Sequence, residues 1–362
     1  MNRVAILLPR LDPGDAVGND ARGMVEALKS VGVSCKIFAG SWNRSESPEP
    51  LRKLRRYLSD QDTLIFHHTV QWPEGESAFM DSPARKILKY HNLTPAHFFE
   101  PYSRAYADAC ANARLSLKRI LEAGVEQILC DSAFNVEDIV REGARRELCK
   151  IVPPFHGIEK RENIDSDLSL IYERMQGLTD FMILSVGRIV PNKAYEHLIE
   201  SFAVYQAAYG RGQLVLVGRQ DPLVESYTRK LQGLIVSRGL LKSVRMLNHV
   251  SDAKLRALFL TADCYAVTSE HEGFCVPVIE AMRTKIPVVA SGRTAVPETL
   301  GGCGLHWKDA DPHILAAAFH KVSVNRDAAQ VMRDEGSLSF EKRFASGRLT
   351  EIFLSALSGA AG

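Results

Sequence analysis

Ser269-Glu270-His271-Glu272-Gly273-Phe274-Cys275-Val276-Pro277-Val278-Ile279-Glu280-Ala281-Met282 is the stretch of this chain whose reading decides the fold. It follows a short apolar run, Cys264–Val267, that reads as a buried strand, and Pro277 suits the first turn of a helix. The stretch is therefore a strand end, a loop and a helix start. Free amides at a helix start form an anion site, and Gly273 lets backbone approach a ligand closely. Glu272 lies in the loop and Glu280 about one turn into the helix. Carboxylates so placed accept hydrogen bonds from sugar hydroxyls, whether of a ribose or of a hexose. Taken singly, Glu280 also reads as a helix-dipole residue and Glu272 as a solvated one.

Upstream, Leu184-Ser185-Val186-Gly187-Arg188-Ile189-Val190-Pro191-Asn192-Lys193 has the same form. Arg188 and Lys193 bracket a turn at a strand's carboxyl end. Two cations beside a helix N-terminus make a pyrophosphate clamp, although surface cations at a solvated turn would look the same.

Working outward, the pattern is strand and helix in alternation, twice over. Apolar runs at Val4–Leu8, Cys35–Ala39, Thr63–His67, Lys86–Tyr90 and Gln127–Cys130 are separated by amphipathic stretches such as Asp20–Val31 and Ser103–Ala123. A polar stretch, Glu159–Asp180, reads as a linker, after which strands recur at Phe181–Ser185, Gln213–Val217, Val244–Leu247, Cys264–Val267 and Pro287–Ala290. Continuous apolar runs between helices imply parallel sheets covered on both faces. The expected architecture is α/β: two doubly wound Rossmann-like domains facing across a cleft, with ligands at the carboxyl ends of the strands. The expected domains are 1–175, including the linker from about 159, and 176–345. A C-terminal helix within 346–362 is expected to pack back on the first domain.

Composition narrows the function. Of 362 residues, 45 are Lys or Arg and 43 Asp or Glu, a net charge of +2. That balance argues against a nucleic-acid coat, and 46% apolar residues argue against wholesale disorder. Seven cysteines, none in a Cys-x-x-Cys pair, argue against a disulfide framework or a cysteine zinc site. The opening MNRVAILLPRLDPGD has only a five-residue apolar run before Pro9, too short for a signal-peptide core. The expected localisation is cytoplasmic, with peripheral attachment at the inner face of a membrane left open.

The two glutamate- and cation-bearing segments together resemble the family 4 glycosyltransferases of GT-B fold. That family carries a Glu-x7-Glu element in its C-terminal domain, downstream of a Gly-Arg…Lys loop. Here Glu272–Glu280 has that spacing within a Glu-Gly-Phe-x-x-Pro-x-x-Glu-Ala-Met frame, and Gly187-Arg188…Lys193 supplies the loop. Pro287-Val-Val-Ala-Ser291 and Pro297-Glu298 continue the pattern, so the resemblance covers most of 181–310. It implies that Arg188 and Lys193 neutralise the diphosphate of a nucleotide-sugar donor and that Glu280 holds the ribose. It also implies that Glu272 and the amides of Gly273, Phe274 and Cys275 hold the transferred sugar. The loop near Val250 would contact the base, mainly through backbone.

The first domain resembles the family more loosely. Tyr90-His91-Asn92-Leu93-Thr94-Pro95 follows a strand, and the resemblance gives His91 the role of hydrogen-bonding the donor sugar. His67-His68 also ends a strand and reads more readily as structural. Where the family shows a Gly-Gly pair, the chain has Gly18-Asn19. Gly18 is read as admitting the donor phosphate, and Asn19 or Asp20 as a helix cap. The wording of both loops looks like that of bacterial members that build surface polysaccharides.

Two Asp-x-Asp strings, Asp60–Asp62 and Asp165–Asp167, read as solvated turns rather than a metal site, and no essential metal is expected. No Walker phosphate loop and no Gly-x-Gly-x-x-Gly after a strand supports another nucleotide chemistry. Leu51–Leu58 reads as a helix with leucines on one face and arginines elsewhere: a cover for a sheet, or a membrane-docking face.

The expectation is a retaining, metal-independent transferase moving a hexose from a UDP- or GDP-linked donor to a hydroxyl of a saccharide or lipid-linked saccharide. Its setting would be bacterial polysaccharide or glycoconjugate assembly. Two alternatives stay open: a nucleotide-sugar epimerase of the same fold, and a non-catalytic nucleotide-sugar binding protein.

Overall fold

The computed structural model describes residues 2–162, 164–169, 171 and 181–358. They form two compact units. The first comprises 1–96, 106–157 and 345–362; the second comprises 97–105 and 158–344.

The first unit holds a seven-stranded parallel sheet. Its strands are β1 (Arg3–Leu11), β2 (Ser34–Trp42), β3 (Glu49–Pro50), β4 (Thr63–His68), β5 (Arg85–Tyr90), β6 (Gln127–Cys130) and β7 (Cys149–Ile151), in the order β3-β2-β1-β4-β5-β6-β7. Because side chains alternate along a strand, β1 feeds two cores. Val4, Ile6 and Leu8 pack with Met24 and Leu28 of the helix Ala16–Ser30; Ala5 and Leu7 pack with Phe66, Phe79 and Leu117 on the other face.

The first of those cores also takes Leu349, Phe353 and Leu357 from the helix Ser346–Ser358. Each such buried side chain contributes roughly 1.5–3 kcal/mol. Arg85 Nη1 donates to the carbonyl of Leu357 at 3.0 Å and Gln127 Nε2 to that of Ala356 at 2.7 Å, satisfying carbonyls left open at the helix end.

The second unit holds a six-stranded parallel sheet. Its strands are β8 (Met182–Val186), β9 (Gln213–Val217), β10 (Val244–Leu247), β11 (Cys264–Val267), β12 (Val288–Ser291) and β13 (Leu305–Trp307), in the order β10-β9-β8-β11-β12-β13. The order reverses between β8 and β11, and the loops after these two strands carry Lys193 and Glu272.

Several expectations need correction. The boundary expected at 175/176 falls outside the described residues, but Ile158 is already buried in the second core. Residues 97–105, expected in the first domain, group with the second unit. Tyr102 accepts hydrogen bonds there, at its hydroxyl from Lys230 Nζ (3.1 Å) and at its carbonyl from Ser226 Oγ (3.4 Å), and its ring packs on Tyr227. Leu51–Leu58 is not one helix but a 3-10 turn, Leu51–Lys53, followed by a four-residue helix, Leu54–Tyr57. Its leucines cover the sheet, as Leu54 is buried and Leu51 and Leu58 pack against the same core. Asp62 is not solvated: it is buried, pairs with Arg3 at 2.7 Å and accepts from Ser59. The Arg3 hydrogen bond leads in holding its carboxyl down at about 2. All seven cysteines are free. Among the described residues no helix is long and apolar enough to cross a membrane.

Candidate functional site

In the second unit the decisive loop is shaped by backbone. The peptide passes from β11 into the helix Val276–Arg283 through Cys275, whose φ of 77° is left-handed, and Pro277 lies in the first turn. The partner loop turns through Ala194, also left-handed at φ 48°. A Cβ on Gly218 would stand 1.7 Å from the carbonyl oxygen of Gly187, so only glycine lets β8 and β9 end this close together.

The two loops lock onto each other. The Glu270 amide donates to the Asn192 carbonyl at 2.9 Å, and Asn192 Nδ2 donates to the His271 carbonyl at 2.9 Å. Thr268 Oγ1 donates to the carbonyl of Ala194 at 3.0 Å. Tyr195 OH donates to the Gly187 carbonyl at 2.9 Å. On this frame Lys193 donates to Glu272, and the Glu272 amide donates to Thr294 Oγ1 at 2.9 Å. The pair borders a small cavity with Ser185, Tyr195, Thr268 and Cys275. Cation, carboxylate and the positive end of the helix thus meet at one opening, a combination suited to a phosphate next to a polyol. Burial, with the Glu272 charge beside it, pushes the Cys275 thiol up.

The other residues proposed from the sequence for this unit are distributed around that pair. Arg188 is exposed just past β8. Glu280 is buried within the helix and pairs with Arg161 at 3.1 Å, a partner that the sequence spacing did not reveal. Burial drives the Glu280 carboxyl up to about 7 against the pull of Arg161. Phe274 and Cys275 are buried in the core, which leaves their main chain as their contribution; Thr299 Oγ1 already donates to the Phe274 carbonyl. Gly273 is half-buried, and Val250 packs half-buried against the core after β10.

The first unit holds a second cluster. His67 and Lys89 are register partners on β4 and β5 and face the helix Ala16–Ser30, where the stripe Ile65 and Ile87 gives way to polar groups. His91 Nδ1 is 3.0 Å from Asp131 Oδ2, and His91 Nε2 is 2.8 Å from His67 Nδ1. Lys89 Nζ sits 2.6 Å from Asp131 Oδ1, donates to the Val152 carbonyl at 2.6 Å, and lies 3.7 Å from Asp20 Oδ2. Burial works against the Lys89 ammonium, and the charges of Asp131 and Asp20 outweigh it, so it is held above its ordinary value. Burial, with His91 and Lys89 alongside, pushes His67 well below its usual value and keeps it neutral.

This cluster corrects two readings. Asp20 is not a cap: it is fully buried, and its Oδ1 accepts from the Phe155 amide at 2.8 Å. Asp15 is the cap, accepting from the Gly18 amide at 3.0 Å. Gly18 lies inside the helix rather than in the loop before it, with its amide committed to that cap. Asp20, Lys89 and Asp131 were missed from the sequence. The available signal was a lysine inside an otherwise apolar central strand, which demands buried counter-charges.

Part of the chain is similar in sequence to known proteins, and its fold to solved structures. Residues 175–338 match the family described as glycosyl transferases group 1. The chain is 29% identical over 180 residues to the O-antigen chain mannosyltransferase RfbU of Salmonella typhimurium, covering 47% of this chain and 49% of that protein. It is 38% identical over 112 residues to the GDP-mannose:cellobiosyl-diphosphopolyprenol alpha-mannosyltransferase of Xanthomonas oryzae, covering 30% of this chain and 28% of that one. The chain thus spans less than half the length of these curated relatives. The solved structure of Anabaena HepE in complex with UDP and glucose superposes with a TM-score of 0.78 over 99% of this chain and 100% of that one, at 16% identity. Two Rossmann-like parallel sheets make this a GT-B fold, and residues 175–338 are similar to the group 1 glycosyl transferases.

Proposed function

We propose that the chain is a retaining glycosyltransferase that moves a hexose from a UDP- or GDP-linked donor to a hydroxyl of a saccharide or lipid-linked saccharide, in bacterial polysaccharide or glycoconjugate assembly. The observation that carries this reading is the Lys193–Glu272 pair at the opening before the helix Val276–Arg283. The relatives support it from outside: one is an O-antigen chain mannosyltransferase, one uses GDP-mannose by name, and HepE was solved with UDP and glucose.

Cleaving the bond between the anomeric carbon and phosphate leaves negative charge on the departing diphosphate and positive character on the sugar. Lys193, Arg188 and the amides at the helix start stabilise the former, with no essential metal in this reading. When the diphosphate takes the Lys193 ammonium, the Glu272 carboxylate is released to accept hydroxyls of the transferred sugar, with the amides of Gly273, Phe274 and Cys275 around it. Glu280 accepts the ribose hydroxyls, and the loop at Val250 receives the base. His91 supplies a ring nitrogen to the donor sugar. With no clear candidate for a covalent nucleophile, front-face attack is preferred, the leaving phosphate taking the acceptor proton.

A thermal-shift screen against UDP, GDP and ADP and their glucose and mannose esters, followed by transfer assays, tests this. One donor class raises the melting temperature and supports transfer, because a ligand of the folded state alone stabilises it. Isomerised sugar from donor alone would establish an epimerase instead. Tight binding without transfer across a wide acceptor panel would establish a binding protein.

A further inference from the structure

Of the first unit's buried cluster the transfer reading uses His91 alone. Three ligand-type atoms converge in it. His67 Nδ1 is 2.8 Å from His91 Nε2, His91 Nε2 is 3.5 Å from Asp20 Oδ2, and His67 Nδ1 is 4.0 Å from Asp20 Oδ2. Nitrogen and oxygen atoms bound at about 2.0–2.2 Å to one tetrahedral zinc ion stand about 3.3–3.5 Å from one another. The observed separations, from 2.8 to 4.0 Å, bracket that value. We propose that Asp20, His67 and His91 form a site for one divalent transition-metal ion of the zinc class.

Two further observations support the assignment. Asp20 Oδ2 is fully buried, faces both imidazoles and has no hydrogen-bond partner, while its other oxygen is occupied by the Phe155 amide. A buried carboxylate oxygen without a donor is costly, and a metal ion would relieve it. His91 Nδ1 rests on Asp131 Oδ2, the carboxylate–histidine arrangement that fixes the other ring nitrogen as the ligand.

Charge gives the same direction. Two carboxyl groups, Asp20 and Asp131, share the cluster with a single ammonium, Lys89. Lys89 is the competing cation, but it is committed to Asp131 and the Val152 carbonyl and makes no hydrogen bond to Asp20 Oδ2. Because the ion would take His91 Nε2, it would also withdraw His91 from a donor sugar; metal binding itself does not depend on the transfer reading.

The test is titration of the full chain with Co2+ alone, followed by visible and near-ultraviolet absorption. One equivalent should bind, with ligand-field bands and no thiolate-to-cobalt charge-transfer band. His67→Asn should lose binding, Asp131→Asn should weaken it about 10–100-fold, and His313→Asn on the exposed helix start should leave it unchanged. Absence of saturable binding overturns the proposal, as does a thiolate band or undiminished binding by a folded His67→Asn protein. X-ray absorption of the zinc-loaded wild type decides the matter should that variant fail to fold. Two imidazoles with oxygen in the first shell support the site, and sulfur scattering overturns it.

Discussion

The two clusters occupy equivalent places, the carboxyl ends of strands in a parallel sheet, yet they are built differently. In the second unit Lys193 and Glu272 stand on loops, at the mouth of a helix whose backbone supplies part of the charge. In the first unit Asp20 comes from a helix, His67 and Lys89 from two strands, and His91 and Asp131 from just past strand ends, and all but the half-buried His91 are buried. An open pair trades partners when a ligand arrives. A closed network can only lose one. The first should therefore reveal itself in catalysis and the second in stability.

The comparison breaks most visibly at Lys89. Lys89→Met removes the cation between two buried carboxylates and should cost about 3–5 kcal/mol in urea denaturation. A loss below about 1 kcal/mol would mean that the network is wet or neutral. Next in size, Lys193→Ala should lower kcat/KM for the nucleotide sugar by about 10²–10³-fold while the melting temperature barely moves. Turnover within threefold of wild type would remove Lys193 from the diphosphate.

A pH profile sharpens the contrast within the second unit. Glu280 is raised to about 7 in the folded chain by burial, from an ordinary 4.5. The folded state therefore holds a proton that the unfolded state has released. The stability that goes with it is present below about pH 4.5 and declines as pH rises through about 7. Glu280→Gln should flatten the melting temperature across that window. A wild-type profile that rises there would show that Arg161 governs Glu280 instead. The smallest effect is at Ala194, which is left-handed without being glycine. Ala194→Gly should stabilise by about 1 kcal/mol in thermal unfolding, since glycine carries no Cβ penalty in that conformation.

Most sheet strands of the second unit were legible as short, largely apolar runs between helices. Gln213–Val217, Val244–Leu247 and Cys264–Val267 lie where the periodicity puts them. The strand Leu305–Trp307 was not, being three half-buried residues with no apolar run to mark it. Lys193 and Glu272 were legible as members of two local segments, but their contact was not. In the first unit His91 could be picked out at a strand end, whereas Asp20 looked like an ordinary cap. Its burial follows from Asp15, which took the capping role one turn earlier.

By itself the sequence determined the class of fold and the chemistry of the second unit's loops. Hydrophobic period and turn residues act over a few positions, and a strand–loop–helix segment brings its own amides and side chains together. Only the tertiary structure decided that Glu280 meets Arg161 across 119 positions and that Asp20, His67, His91 and Asp131 share one buried site. Parallel strands are joined through helices, so neighbours at their ends are distant in sequence. Charge inside a low-dielectric core is set by whichever partners that topology delivers.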